Sequence, residues 1–354
     1  MPRMFVPGPV DVDDEILQAQ AQPMLPHRSG EFEEIFCRTS EKARQLFFTK
    51  ERVLLSASSG TGLQEAAIRN LVNKKVLSCV NGAFADRWYD VAVSNGKDVE
   101  KLAFEWDQPV NPDRVAAAVK KGSFEALTIV HNETSTGMQN PVKEVAEAVR
   151  AVAPDTLILV DTVSSLGGAK IETDAWGLDM VLTSSQKALA LPPGLALAAV
   201  SDRALEKAKT VENRGWYFDL VRMEKHRLKD SSPATPAMSL IFALDRQLDR
   251  ILAEGLGNRF DRHAAMAHRV HEWAESQGLS IYAPEGFRSQ TVTTIKNERD
   301  IDISGLNTFL KKRGMRLANG YGPLKNITFR IAHMGEIQMS DLEGLFVAME
   351  EYLS

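Results

Sequence analysis

Cysteine is almost missing from this chain: 354 residues hold two, Cys37 and Cys79. Two thiols cannot build a disulfide framework or a four-ligand zinc site, so no metal centre is expected. The count fits a reducing cytosol, and the cytoplasm is the expected compartment. Long apolar runs are missing too. The longest, Leu157-Ile158-Leu159-Val160, ends at Asp161, well short of the ~18 residues a membrane helix needs. The N-terminal stretch Met1-Pro2-Arg3-Met4-Phe5-Val6-Pro7-Gly8-Pro9 is broken by proline and glycine, so it does not read as the apolar core of a signal peptide. The last three residues, Tyr352-Leu353-Ser354, are not a peroxisomal address. Charge of one sign is also lacking, with 42 Lys+Arg against 47 Asp+Glu, a net charge of −5 and no basic block. Neither nucleic acid nor an anionic membrane is therefore an expected partner. No internal repeat is visible, which disfavours solenoids and arrays.

What the chain does have is globular texture: 44% hydrophobic and 25% charged residues. Its length exceeds the roughly 250–300 residues of a single core, so two domains are expected. Short apolar runs alternate with helix-like segments. Strands are expected at Arg52–Ala57, Lys75–Val80, Asp98–Phe104, Ala126–His131, Thr156–Asp161, Asp179–Thr183 and Leu195–Val200. Between them, Thr61–Val72, a stretch near Asp86–Val93, Val115–Lys120 and Pro141–Ala153 read as helices. Alternation with nearly all-apolar strands argues for an α/β fold with a largely parallel sheet covered on both faces. The last two of those strands have no helix between them, so that pair could be antiparallel and the sheet mixed. After about residue 203 the texture changes. Pro236–Ala253 and Arg259–Gln277 read as long helices, and short strands (Gln290–Ile295, Asn326–Ile331) mix with helices (Ser304–Arg313, Ser340–Tyr352) in an α+β pattern. The expected division is an arm over 1–15, a large domain over 16–254 and a small C-terminal α+β domain over 255–354.

Ligands of open α/β sheets bind at the carboxyl ends of strands, beside helix N-termini. Three features stand there. Ser58-Ser59-Gly60-Thr61-Gly62 opens a helix after the first strand, where free N–H groups and the helix dipole favour an anion such as phosphate. It matches neither a nucleoside-triphosphate P-loop nor the dinucleotide fingerprint. Asp161 ends a strand, as a turn cap or as an anchor for a cationic ligand atom. Lys187 sits in Ser184-Ser185-Gln186-Lys187-Ala188-Leu189-Ala190-Leu191-Pro192-Pro193-Gly194. A desolvated lysine becomes a nucleophilic amine able to form a Schiff base. Each feature alone has a bland explanation. Together they offer the phosphate cradle (Ser59, Gly60, Thr61), the lysine and the pyridine-nitrogen carboxylate that pyridoxal phosphate requires.

At these residues the chain resembles the class V aminotransferases, in the branch of alanine–glyoxylate and serine–pyruvate aminotransferases. Ser-Gln-Lys-Ala-Leu followed by Pro-Pro-Gly is similar to that branch's lysine motif, and Val160-Asp161-Thr162-Val163-Ser164-Ser165-Leu166-Gly167-Gly168 to its carboxylate motif, 26 positions upstream. The resemblance runs from Pro7 to beyond Gly335. It implies a fold-type I architecture and pyridoxal 5'-phosphate as cofactor. It further implies that Lys187 holds the cofactor aldehyde, that Asp161 holds the pyridine nitrogen, and that Val163 and Phe84 pack on the two ring faces. Relatives often carry tryptophan at the Phe84 position. Thr134 would bond the phenolic oxygen, and Gln186 would join Ser59, Gly60 and Thr61 around the phosphate. Thr235 resembles a threonine that reaches the phosphate of a neighbouring subunit, which implies a homodimer with shared sites. Ser232 stands where a tyrosine is common, which puts one further phosphate contact in doubt. Arg330, in Phe329-Arg330-Ile331-Ala332-His333-Met334-Gly335, resembles the arginine that grips the substrate α-carboxylate. Pro7 and Gly8 would line the substrate pocket, and His27-Arg28-Ser29 resembles a motif at its rim.

The implied reaction moves an amino group from a small L-amino acid, alanine or serine, to a 2-oxo acid such as glyoxylate or pyruvate by a ping-pong route. The same middle region also resembles bacterial aspartate aminotransferases, which use 2-oxoglutarate. A dicarboxylate donor needs a second cation in the pocket, and Arg28 is a candidate. A cysteine desulfurase is a further alternative, but it needs a reactive cysteine in a late loop, and both cysteines precede residue 81. A non-catalytic protein on the same scaffold and a nicotinamide oxidoreductase are weaker still.

Overall fold

In the computed structural model, residues 3–354 are described; Met1 and Pro2 of the N-terminal arm lie outside the described residues. The chain opens with strand β1 (Arg3–Phe5) and helices α1 (Asp14–Gln20) and α2 (Gly30–Leu46). Alternation follows: β2 (Arg52–Ser56), α3 (Gly60–Leu71), β3 (Lys75–Val80), α4 (Ala83–Ser94), β4 (Asp98–Ala103), α5 (Pro112–Lys121) and β5 (Ala126–Val130). A short hairpin, β6 (Asn132–Glu133) and β7 (Met138–Gln139), precedes α6 (Val142–Val152), β8 (Leu157–Asp161), β9 (Met180–Ser184) and β10 (Ala196–Val200). Helices α7 (Asp202–Thr210), α8 (Leu220–Arg227), α9 (Met238–Glu254) and α10 (Leu256–Ser276) come next. The chain finishes with β11 (Val292–Lys296), α11 (Ile303–Lys312), β12 (Met315–Asn319), β13 (Thr328–Ala332) and α12 (Met339–Leu353).

The main sheet has seven strands in the order β2-β10-β9-β8-β5-β3-β4. It is parallel except at β10, which runs antiparallel to both β9 and β2. The helix-free link between β9 and β10 is the reason, because a parallel neighbour needs a crossover. Strands β5, β8, β9 and β10 are buried at every position. Their period-two alternation feeds two cores. Ile158, Val160, Val181 and Leu197 pack against α2, α5, α6 and α9 on one face. Leu157, Leu159, Leu182 and Ala198 pack against α3, α4, α7 and α8 on the other.

A second sheet, β1-β12-β13-β11, carries α10, α11 and α12 on one face around Phe5, Trp273, Phe329, Ile331 and Phe346. Alternation on β13 sends Phe329 and Ile331 into that core and turns Arg330 to the other face, where it meets the main-sheet half of the molecule at Thr134. The N-terminal arm is thus part strand: Arg3–Phe5 pairs in parallel with Met315–Leu317. Three residues of alternating character carry little periodicity, so a partner 300 residues away makes this strand.

Candidate active site

The carboxyl ends of β8 and β9 and the N-terminus of α3 close on one cavity of about 200 Å³. Ser59, Gly60, Thr61, Phe84, Thr134, Asp161, Val163, Gln186 and Lys187 all line it. Three adjacent structural decisions bring them there. Ser59 is the residue before α3, with extended backbone and no side-chain capping bond, so its hydroxyl is uncommitted. Gly60 lets the helix start touch Val163, since a Cβ on it would sit 2.4 Å from Val163 Cγ2. The turn after β8 lets Asp161 Oδ1 accept from the Val163 amide at 2.7 Å.

Asp161 is buried, and its Oδ2 accepts from Gln64 Nε2 at 2.6 Å. Burial pushes its carboxyl up to about 6, against the lowering effect of those two hydrogen bonds. A cation placed against Asp161 would restore the carboxylate. Lys187 has the mirror situation. Burial, with the guanidinium of Arg330 and more weakly that of Arg87, brings its amine down to about 8, while Asp161 opposes the shift. Its Nζ donates to the carbonyl of Pro7. Gly8, at φ 102°, crosses the lysine so closely that a Cβ would lie 2.5 Å from Lys187 Cδ.

Arg330 does not line the cavity itself but reaches Thr134, which does. Its Nε donates to Asn319 O at 3.1 Å and one terminal nitrogen to Thr134 O at 3.2 Å. No acid pairs with it among the described residues. Burial lowers its pKa to about 10, against the opposing effect of Tyr321 and Glu133. Thr134 Oγ1 donates to Ser164 Oγ at 2.7 Å.

Phe84 is set by a residue the sequence reading passed over. The buried Glu133 carboxylate accepts from the amides of Phe84, Ala85 and Ser135 and from Ser135 Oγ. It therefore caps α4, which begins at Ala83, three residues earlier than expected at Asp86. Burial raises its pKa despite these bonds. Gln64, Asn132, Ser164, Ser184 and Arg87 also line the cavity and were not singled out. Helical spacing could have found two of them: Gln64 is one turn beyond Gly60, and Arg87 one turn beyond Phe84.

Two expected residues lie elsewhere. Thr235 is exposed and borders a small separate cleft with Ser56, Tyr217 and Ser232. Arg28 is not at the cavity: its guanidinium donates to Ser231 Oγ at 3.0 Å and to Ser232 O at 3.4 Å. Cys79 is buried, and Cys37 is half-buried on α2, beside Asp230.

The walls suit a polar ligand. Gln64 Oε1, Asn132 Oδ1, Ser184 Oγ and Gln186 Oε1 are buried without a hydrogen-bond partner, a costly state unless something bonds them. The α3 N-terminus suits a phosphate, the Asp161 carboxylate a ring nitrogen, and the Lys187 amine an aldehyde. Pyridoxal phosphate presents all three groups.

The Aminotransferase class-V family model matches residues 12–339. The chain belongs to that family, and is a pyridoxal-phosphate-dependent transaminase of the fold-type I class. It is 37% identical over 338 residues to an uncharacterized aminotransferase of Methanocaldococcus jannaschii, covering 94% of this chain and 87% of that one. It is 34% identical to the small subunit of a soluble hydrogenase of Synechococcus sp., covering 99% and 92%. An L-aspartate–glyoxylate aminotransferase of Paracoccus denitrificans is 34% identical, covering 94% and 86%. Among solved structures, an aspartate aminotransferase of Thermus thermophilus superposes with a TM-score of 0.92 at 31% identity, covering 99% of this chain and 98% of the other. An alanine–glyoxylate aminotransferase of Nostoc sp. gives 0.94 at 30% identity, covering 100% and 96%. No helix among the described residues is long and apolar enough to cross a membrane.

Proposed function

We propose that this transaminase moves the amino group of a small L-amino acid, alanine or serine, to glyoxylate or pyruvate, with Lys187, Asp161 and Arg330 as its working residues. The carrying observation is Arg330: a buried guanidinium without an acid partner among the described residues, beside the cavity that holds Lys187. It suits the α-carboxylate that every amino acid and 2-oxo acid presents. The names of the Paracoccus and Nostoc proteins support glyoxylate as acceptor. The hydrogenase name is not carried over, since two cysteines on separate elements, α2 and β3, cannot make a thiolate cluster.

Bound here, pyridoxal phosphate supplies an aldehyde for the amine and a ring that stores the electron pair left when the substrate Cα loses its proton. Lys187 would hold the aldehyde through Nζ at rest. Its lowered pKa keeps a free amine available near neutral pH, first as nucleophile and then as the base that takes the Cα proton. Asp161 would keep the ring nitrogen protonated. Arg330 would orient the carboxylate so that the Cα–H points at Lys187. Val163 and Phe84 would hold the ring faces, Thr134 the phenolic oxygen, and Ser59, Gly60, Thr61 and Gln186 the phosphate. Pro7 and Gly8 would close the substrate side.

The divisions 1–15, 16–254 and 255–354 belong to this reading, as do a homodimer in which Thr235 reaches the partner's phosphate and a cytoplasmic setting. Exposed Thr235, Trp216 and Tyr217 support the dimer. The test is a half-reaction: the holoenzyme mixed with each amino acid, following the cofactor absorbance. Alanine or serine should convert it, and Lys187→Ala should abolish steady-state turnover while preserving the circular dichroism spectrum. Turnover at the native rate in that variant would refute the assignment.

A further inference from the structure

We propose that Arg87 and Tyr321 form a second carboxylate subsite beside Lys187, which takes the side-chain carboxylate of a dicarboxylic amino acid such as aspartate. The proposal rests on Arg330 holding the α-carboxylate, and it adds a donor class to the small amino acids above.

Arg87 lines the Lys187 cavity from α4, one turn beyond Phe84. Its guanidinium carbon lies 4.9 Å from the centre of the Phe84 ring. Its one hydrogen bond among the described residues runs from a terminal nitrogen to the Tyr321 hydroxyl, at 3.1 Å. A guanidinium has five donors in a rigid fork, so most of this fork is free. Arg87 is half-buried, so the free part of the fork can meet water or a ligand. Arg87 is in no ion pair among the described residues, and the acid beside it, Asp86, is taken by Lys101. The buried acid Glu133, which caps the same helix, is taken by four donors of its own.

Tyr321 joins the two cations. Arg330 lies 5.5 Å from the centre of its ring, and Arg87 bonds its hydroxyl. The ring also packs on Phe84, with centroids 5.3 Å apart. Both guanidinium groups thus meet Tyr321, Arg87 at its hydroxyl and Arg330 at its ring, and both act on the charge of Lys187. A four-carbon diacid would then meet one guanidinium fork at each end. Monocarboxylic donors would use Arg330 alone. Arg28, the candidate cation the sequence offered for a dicarboxylate, is instead engaged by Ser231 and Ser232.

The test compares ligands with one and two carboxylates on the holoenzyme. Calorimetric titration with succinate and with propionate reads binding without reaction. In Arg87→Met, succinate affinity should fall on the order of 10–100-fold more than propionate affinity, the range for a charged hydrogen-bonded pair. Arg87→Lys should recover part of that loss, and Tyr321→Phe should show a smaller one. In half-reactions, the ratio of kcat/KM for aspartate over alanine should fall by a similar factor in Arg87→Met. Equal losses for succinate and propionate, or an unchanged donor ratio, would overturn the subsite and leave Arg87 a structural residue. Native holoenzyme that neither binds propionate nor reacts with any monocarboxylic donor would instead sink the Arg330 reading, and the subsite with it.

Discussion

Asp161 and Lys187 are held in states that water would not give them, and both shifts have consequences in the cofactor-free protein. The Asp161 carboxyl titrates near 6 when folded and near 3.9 in an unfolded chain. Below about pH 4 both states hold the proton, and the residue costs nothing. Between about 4 and 6 the folded state keeps a proton that the unfolded state has lost, so stability falls as pH rises, by about 3 kcal/mol in all. Asp161→Asn should therefore raise the melting temperature of the cofactor-free protein at pH 7 and change it little at pH 4. With pyridoxal phosphate added the order should reverse, because the variant offers the ring nitrogen no charge. Differential scanning fluorimetry at the two pH values checks both halves. Lys187 has the opposite sign: its amine, near 8 when folded, sheds its proton before the unfolded chain does, so stability should rise from about pH 8 to 10.4. Lys187→Met should flatten that rise, measured by urea unfolding across the window. The identities of both residues were readable beforehand, because a strand-end aspartate and a lysine among small residues are local signals. Their states were not readable, because burial is made by distant parts of the chain.

The start of α3 shows what one element contributes. Alanine suits a helix better than glycine by about 1 kcal/mol, so propensity alone would make Gly60→Ala stabilising. The 2.4 Å approach to Val163 Cγ2 argues the reverse. The helix start would have to withdraw from the cavity, and we expect cofactor affinity to fall at least about tenfold with a lower melting temperature. A cofactor titration followed by absorbance checks it. Most elements of the main sheet were legible from apolar runs and flanking glycines and prolines. Helices α7 and α8 carry no clear apolar stripe, since charged residues interrupt their buried positions. Strand β12 has one buried residue in five, which leaves little apolar pattern to read. The start of α4 was misplaced because its cap, Glu133, lies 50 residues downstream.

At the scale of the molecule, Arg259 ties the two sheets together. It is buried, and its guanidinium donates to Gly167 O, Ala188 O and Gly335 O while pairing with Glu254 and Glu336. These carbonyls belong to the turn after β8, the lysine loop and the turn after β13. Arg259→Met would take a donor from three carbonyls, while Glu254 keeps Arg262 and Glu336 keeps Gln247, and we expect a loss of about 1–3 kcal/mol by urea unfolding. Retained stability in that variant would show that packing of Val10, Ala190 and Met334 suffices to join the halves. The proposed dimer gives a second expectation. Thr235→Ala should weaken cofactor binding, and sedimentation of the native protein should show two chains. A monomer with full activity would refute the shared site.

The chain's own order of residues carried the α/β class, the missing helix that leaves room for an antiparallel β10, and the placing of Ser59–Thr61, Asp161 and Lys187 at strand ends. Each of these is written in local periodicity or in spacing along one segment. The folded molecule alone could assign the partners: that Arg330 has no acid partner among the described residues, that Arg28 is occupied, that Glu133 anchors Phe84, and that Arg87 meets Tyr321 from the other half of the protein. Those facts depend on which charges meet across hundreds of residues, and pairing in space leaves no trace in a neighbourhood of the sequence.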